Sequence, residues 1–92
     1  MPETTFTAAL PDGSIQPCYS PSSVVKNYFH VGQELPAAEF IQLARTALTE
    51  ASERVRQKFG FSCTAASASL ADIESWAGAL PSHTTITILH IH

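Results

Sequence analysis

Hydrophobic and polar residues alternate near the start of the chain, and this pattern predicts two β-strands. Phe6, Ala8 and Leu10 fall on one face of an extended segment over residues 5–10. The segment PDGS at 11–14 follows, and Asp-Gly tolerates the positive φ angles of a tight hairpin turn. A second strand over about 14–19 then returns antiparallel. Because its proline at position 17 has no N–H to donate, we expect this strand to lie at an edge of the sheet.

Apolar residues then recur at intervals of three and four, and this spacing predicts three helices. The first is short, begins at Ser20-Pro21 with the serine as its cap, and ends at or just before Gly32. The second runs from Pro36 to Gly60, where glycine suits the left-handed conformation after the last turn. The third occupies roughly 64–79. The apolar stripes of the two longer helices consist of Phe40, Ala44, Ala47, Leu48, Ala51, Val55 and Phe59, and of Leu70, Ile73, Ala77 and Leu80.

The segment Thr84–Ile91 is rich in β-branched residues and predicts a final strand. The element order is therefore ββαααβ, and the fold class is α+β. We expect a three-stranded sheet with helices packed on one face, the last strand lying beside the first. Residues 1–92 then form a single α+β domain. A sheet backed on one side only leaves Leu89 and Ile91 without a buried position, so both are candidates for an interface.

Composition and charge narrow the choice of partners. The chain has 92 residues, and 13 of its hydrophobic residues are alanines, which bury little surface each. We therefore expect a second chain to complete the core, by default in a homodimer. A net charge of −3 with five Lys and Arg residues argues against nucleic acid as a partner. No apolar run predicts a membrane span and no signal-peptide pattern opens the chain, so the expected location is cytoplasmic.

Three segments together resemble a known family: PDGS at 11–14, CYSPSSVVKNYF at 18–29 and ALTEASERVRQKFGFSC at 47–63. They are similar to a small bacterial family of nitrogen starvation response proteins, and the resemblance covers most of residues 10–75. Members are typically encoded in a cluster with a nitrilase. The resemblance implies a role in nitrogen-limited metabolism and suggests an enzyme of that cluster as a partner. It assigns no catalytic residue.

Cys18 and Cys63 form one candidate chemical site. Each precedes a predicted helix N-terminus, where a lowered thiol pKa would favour thiolate chemistry or metal binding. The favoured alternative is that both are small buried apolar residues. In the cytoplasm we expect reduced thiols rather than a disulfide. His90 and His92 share one face of the last strand and are candidate metal ligands with the thiols, the alternative being a solvated strand end.

Arg54 and Trp76 are candidates of other kinds. Arg54 lies at the margin of the apolar stripe, one helical turn after Glu50. As a site residue it would bind a carboxylate or phosphate, and otherwise its stem packs over the core while its guanidinium pairs with the glutamate. Trp76 falls off the stripe of the third helix. It either contacts a partner or packs under the final strand.

None of the common enzyme motifs is present, since the sequence has no Gly-rich phosphate loop, nucleophile elbow or HExxH. The leading hypothesis is a non-enzymatic accessory or partner-binding protein of bacterial nitrogen-starvation metabolism, acting without a cofactor. Whether the chain is an enzyme stays open. Two alternatives are a small thiol- or metal-dependent protein using Cys18 and Cys63, and a sensor of anionic metabolites using Arg54.

Overall fold

The computed structural model describes residues 4–60 and 64–91, apart from the side chain of Phe59. Within these residues the chain forms an antiparallel sheet of four strands, one 3₁₀ turn and two α-helices. The elements are β1 (Thr4–Ala9), β2 (Ile15–Ser20), the 3₁₀ turn (Ser23–Asn27), β3 (Glu34–Pro36), α1 (Ala37–Phe59), α2 (Thr64–Gly78) and β4 (Thr85–Ile91).

The α+β class is confirmed, but the predicted three strands and ββαααβ order are wrong in detail. β3 is an additional strand that pairs antiparallel with β4. It has three residues, of which only Leu35 is buried, so it is too short to produce a recognisable alternation. The strands lie in the order β2-β1-β4-β3. The last strand therefore lies beside the first, and β2 with its Pro17 lies at an edge, both as predicted.

The helix predicted to begin at Ser20-Pro21 is instead a single 3₁₀ turn. Ser20 is the last residue of β2, and its buried hydroxyl donates to the Ser22 carbonyl at 2.7 Å. Ser22 is the actual cap, since its hydroxyl accepts from the Val24 N–H at 3.3 Å. Five residues, two of them β-branched valines, are too few for a stable α-helix. The serine-rich segment therefore continues a strand and caps one short turn.

The long helix α1 agrees closely with its prediction. It begins after Pro36 and ends at Gly60, which adopts a left-handed conformation with φ of +81°. The Gly60 N–H donates to the Arg56 carbonyl at 2.7 Å, so one of the last carbonyls of the helix is satisfied. Among the described side chains of α1, the buried ones are Ala37 and six members of the predicted stripe: Phe40, Ala44, Ala47, Leu48, Ala51 and Val55. The seventh member of the predicted stripe, Phe59, has a side chain outside the described part of the structure.

Three phenylalanines from separate elements form the centre of the core. Phe6 of β1 stacks on Phe29 with ring centroids 5.1 Å apart, and Phe29 contacts Phe40 of α1 at 5.5 Å. Phe40 also contacts Trp76 of α2 at 5.6 Å. Each ring joins a different part of the chain, so this cluster fixes the sheet, the loop after the 3₁₀ turn and both helices relative to one another.

The register of β1 and β4 contains a β-bulge at Leu89. Thr7 lies opposite His90 while Ala8 lies opposite Ile88, so Leu89 is an extra residue on β4. Strict alternation would place Leu89 and Ile91 on the same face. Because of the bulge, Ile91 instead lies opposite Phe6 and packs against the core, which Leu89 does not.

Candidate functional site

The sheet has one face covered by the helices and one face on which no described element packs. We call the latter the outer face. Residues that pair across neighbouring strands point to the same face of a sheet, so the strand register shows which residues belong to the outer face. On β1 these residues are Thr5, Thr7 and Ala9. The others are Ile15, Pro17, Tyr19, Glu34, Pro36, Thr85, Thr87, Leu89 and His90. These residues include one carboxyl group, that of Glu34, and one imidazole, that of His90, so the outer face is largely apolar or hydroxyl-bearing.

The outer face is not flat at the end nearest the β1–β2 turn. Small side chains on the two central strands leave a depression of about 240 Å³. Its lining consists of Ala9, Leu10, Pro11, Glu34, Thr85 and Thr87. Ile15 lies opposite Ala9 in the β1–β2 register, and 58% of its surface is exposed. A projecting apolar side chain therefore stands beside a recess on the same surface.

Ala9 and Ile15 are therefore cross-strand neighbours: Ala9 lines the recess, and Ile15 lies beside it on β2.

Both edges of the sheet carry a proline at a position whose backbone points away from the sheet. The Leu10 N–H donates to the Ser14 carbonyl, and hydrogen-bonded and non-hydrogen-bonded pairs alternate from there along β1 and β2. Pro17 therefore belongs to a non-hydrogen-bonded pair, and its backbone nitrogen points away from β1. On β3, the Ala37 N–H donates to the Thr84 carbonyl at 2.7 Å, so Pro36 faces outward too. Neither proline can donate to an added strand. Strand addition is therefore disfavoured at each edge.

Cys18 lies on the inner face of β2, where only 3% of its surface is exposed. Its thiol lies 3.7 Å from the carbonyl of Gln16. Burial, together with the negative charge of Asp72, raises the pKa of Cys18 to about 12. The shift is opposite in direction to the lowered pKa expected at a helix N-terminus. The reason is that β2 continues through Ser20, so the thiol belongs to a strand within the core.

His90, the other candidate metal ligand among the described residues, does not lie beside Cys18. His90 lies on the outer face opposite Thr7, whereas Cys18 lies on the inner face opposite Phe6. Cys63 and His92 fall outside the described residues. Across residues 4–60 and 64–91, no group of three or more His, Cys, Asp or Glu residues is placed to hold a metal ion. In the part of the chain that is described, Cys18 and His90 therefore form no common site that would support the thiol or metal hypothesis.

Arg54 lies on the exposed side of α1, in a shallow depression that also contains Glu50, Glu53 and Gln57. The expected ion pair with Glu50 does not form in the described structure. Glu50 instead accepts a hydrogen bond from the Tyr28 hydroxyl at 3.1 Å, and this bond raises the pKa of Tyr28. Glu53 pairs with Arg56, and the described lining of the depression contains no cation besides Arg54, so the local charge is balanced rather than positive, which weakens the case for an anionic ligand there.

The three predicted interface residues occupy different surroundings. Trp76 is half-buried and contacts Phe40 of α1, and its indole N–H is buried without an acceptor among the described residues. Ile91 packs against the core from the inner face. Leu89 lies half-buried on the outer face. Of the three, Leu89 is the one that the fold places on an uncovered surface.

Sequence reasoning missed the recess on the outer face and the proline at the second edge. The recess depends on which small residues of β1 and β4 become neighbours, and this follows only from their pairing. Pro36 was interpreted as the start of the long helix, which is correct but incomplete, because it also ends β3. The sequence signal for the two edges was a proline in each edge strand, Pro17 and Pro36, since proline has no N–H for a neighbouring strand.

Comparison with protein families identifies the chain. The model of a family described as "Nitrogen starvation-induced protein NitG" matches residues 5–91. The chain belongs to this family. The resemblance on the segments at 11–14, 18–29 and 47–63 is confirmed, and the match extends through β1 and β4. Searches of curated proteins and of solved structures find no significant match.

Membership of the NitG family gives the chain a physiological setting, which is induction by nitrogen starvation. The family description names no reaction, ligand or partner. No helix among the described residues is both long enough and apolar enough to cross a membrane.

Proposed function

We propose that the protein is a non-enzymatic accessory protein of bacterial nitrogen-starvation metabolism, and that it acts by binding an enzyme through the outer face of its sheet. The family supplies the metabolic setting. The observation that supports binding is the outer face itself, a surface of four strands with Leu89 and Ile15 on it and one carboxyl group, that of Glu34, among the described residues. Surfaces of this kind typically contact another protein.

The surroundings of the candidate reactive groups also favour a binding role. The Cys18 thiol is buried and its pKa is raised to about 12, so almost none of it is thiolate at neutral pH. Arg54 is exposed beside two carboxylates. Neither group has the surroundings that activate a nucleophile or hold an anion.

The enzyme partner belongs to the same starvation response in this proposal, and the resemblance suggests an enzyme encoded with the nitrilase. The test is native mass spectrometry of the untagged protein purified from nitrogen-starved cells of its own source. We expect a complex with one enzyme subunit, identified by its peptides. Recovery of the protein without any enzyme, across several gentle purification conditions, would contradict the accessory role.

Two surface variants show whether such an enzyme binds the outer face. Ile15 and Val31 are both exposed, at 58% and 60%, but Val31 lies in the turn before β3 and outside the outer face. Replacing each with glutamate adds the same charge in the two places. We expect Ile15→Glu to release the enzyme and Val31→Glu to retain it. Equal retention by both variants would place the binding surface elsewhere.

A thermal-shift screen tests the sensor alternative. Organic acids and nucleotides that raise the melting temperature of the protein, but not that of Arg54→Ala, would establish an anion site at Arg54. We expect no stabilisation that depends on this residue, because Arg54 is exposed and its depression is lined by no second cation among the described residues.

A further inference from the structure

We propose that in the absence of an enzyme the outer face packs against the outer face of a second copy, with the Ile15 side chain of each copy in the depression of the other. This inference goes beyond the accessory role and concerns the protein alone. It identifies the surface of a symmetric homodimer and the residue at its centre.

The edges of the sheet direct a second copy to the face. Pro17 removes an outward N–H from the β2 edge, and Pro36 removes one from the β3 edge. On the β2 edge the Tyr19 carbonyl is also occupied, because it accepts a hydrogen bond from the Ser69 hydroxyl of α2 at 2.6 Å. Two copies therefore cannot readily join into one continuous eight-stranded sheet. Stacking of the two sheets, at the usual separation of about 10 Å, leaves the edges unchanged.

The shape of the outer face is complementary to itself. A two-fold axis brings the same patch of both copies together, so any projection must meet a recess on that same patch. Ile15 projects at one side of the β1 strand, and the recess lined by Ala9, Thr87 and Glu34 lies on its other side. A two-fold axis passing between Ile15 and the recess places each isoleucine in the opposite recess. Ile15 then loses its exposure to water in both copies.

Charge favours this face over the rest of the surface. Two identical molecules with a net charge of −3 repel each other, and the repulsion is weakest where the contact contains fewest charges. The outer face contributes one carboxyl group, that of the exposed Glu34, which lines the recess from the β3 edge, whereas the helices carry the exposed pairs Arg45–Glu74 and Arg56–Glu53. Pairing through the outer face therefore leaves these ions in water.

The size of the face indicates a weak dimer. Four strands about 4.8 Å apart, three of them with six or seven residues and β3 with three, each residue rising about 3.3 Å, cover an outline of at most roughly 19 by 20 Å. This is below the area of about 800 Å² per partner in stable interfaces, so we expect dissociation in the micromolar range. A dimer of this strength exchanges readily, and an enzyme that binds the same face would displace the second copy.

Sedimentation velocity of the purified full-length protein, at concentrations from about 5 to 500 μM, tests this proposal. We expect the wild-type protein and Val31→Glu to dimerise with the same dissociation constant, and Ile15→Glu to bind at least tenfold more weakly. Ala9→Leu fills the recess without adding charge, and we expect it to weaken the dimer by a similar factor. Circular dichroism and urea unfolding verify that each variant is folded.

Three results would overturn the proposal. They are a wild-type protein that stays monomeric at the highest concentration, a dimer that Ile15→Glu and Ala9→Leu leave unchanged, and a dimer that Val31→Glu weakens equally. Should Ile15→Glu unfold, Ile15→Ser replaces it in the same comparison. The measurement contains no enzyme, so its failure leaves the accessory role standing, and loss of the accessory role leaves the dimer standing.

Discussion

At the scale of single residues, position in the fold decides what each candidate group can do. Cys18 shows this most clearly, because the sequence places it next to a serine-proline pair typical of a helix start. In the structure β2 continues for two more residues, and the thiol is 3% exposed on the core side of the sheet. Its high pKa is a consequence of that burial.

The Cys18 pKa predicts a loss of stability at high pH. The ordinary pKa of 9.0 applies in the unfolded chain, and about 12 applies in the folded protein. Below pH 9 both states are protonated, so the full stability is present. Between pH 9 and 12 only the unfolded chain releases the proton, and the free energy of unfolding falls by about 1.4 kcal/mol per pH unit from this group.

Urea unfolding of the wild-type protein and of Cys18→Ala, from pH 8 to pH 11, measures this contribution. Every other titrating group, including Cys63, is present in both proteins and cancels in the difference. We expect the wild-type protein to lose stability more steeply than Cys18→Ala above pH 9. Parallel curves would show that the thiol is not protected by the fold.

Side-chain pairs between distant residues were not predictable from spacing. Glu50 and Arg54 are one helical turn apart, and on an isolated helix they would pair. In the fold the Tyr28 hydroxyl reaches Glu50 at 3.1 Å across 22 positions of sequence. The helical rule assumes that no other partner competes, and packing of the 3₁₀ turn against α1 supplies one.

At the scale of elements, caps and stripes determined the helices. α1 was predicted almost to the residue because Pro36 and Gly60 mark its limits and its apolar stripe has regular spacing. The first predicted helix failed because Ser20-Pro21 resembles a cap but is followed by too few residues. A cap motif therefore predicts a helix only where a sufficiently long stripe follows it.

Gly60 and Gly78 provide a matched test of the helix ends. Both follow or end a helix, and neither has an atom within 4 Å of the position that a Cβ would take. Gly60 has φ of +81°, where an alanine is strained, so Gly60→Ala should destabilise the protein by about 1 kcal/mol. Gly78 lies in α2 and has no positive φ, so Gly78→Ala should stabilise it by about 0.5 kcal/mol.

The midpoints of urea unfolding measure both glycine variants against the wild-type protein. Opposite shifts are the expected result, since the two substitutions add the same methyl group to two different backbone conformations. Equal shifts in the same direction would contradict the left-handed end of α1.

At the scale of the whole molecule, residues 4–60 and 64–91 leave one face of the sheet uncovered, and a proline disfavours strand addition at both edges. The helices lie on the other face, where the core contains Phe6, Phe40 and Ile88. The uncovered face is apolar enough to bind a protein, and the prolines limit how a protein can approach it. Association through the face is the mode that this arrangement favours.

Pro17→Val tests the closure of the β2 edge. Valine restores the outward N–H and suits a strand, so the edge becomes able to pair with another chain. We expect the double variant Ile15→Glu/Pro17→Val to self-associate through its edge, whereas Ile15→Glu alone stays monomeric. Sedimentation velocity measures both, and Ile15→Glu/Pro81→Val is the control, since Pro81 is exposed in the loop between α2 and β4. A monomeric Ile15→Glu/Pro17→Val protein would show that Pro17 is not what closes the edge.

The sequence by itself determined the features that depend on neighbours along the chain. These are the α+β class, the β1–β2 hairpin with its Asp-Gly turn, the two α-helices with their buried stripes, the last strand, and the family segments. Each rests on a periodicity or a cap that lies within about twenty consecutive residues. Local backbone preferences and apolar spacing are sufficient for such features, because the interactions that set them are local too.

Only the tertiary structure decided the features that depend on pairing between distant strands. The short strand β3 exists because β4 provides its hydrogen bonds, and the bulge at Leu89 separates Leu89 from Ile91. The burial of Cys18, the recess beside Ile15 and the outward direction of Pro36 follow from the same register. Register is a relation between two segments, set by the core that they fill together, so no single segment contains it.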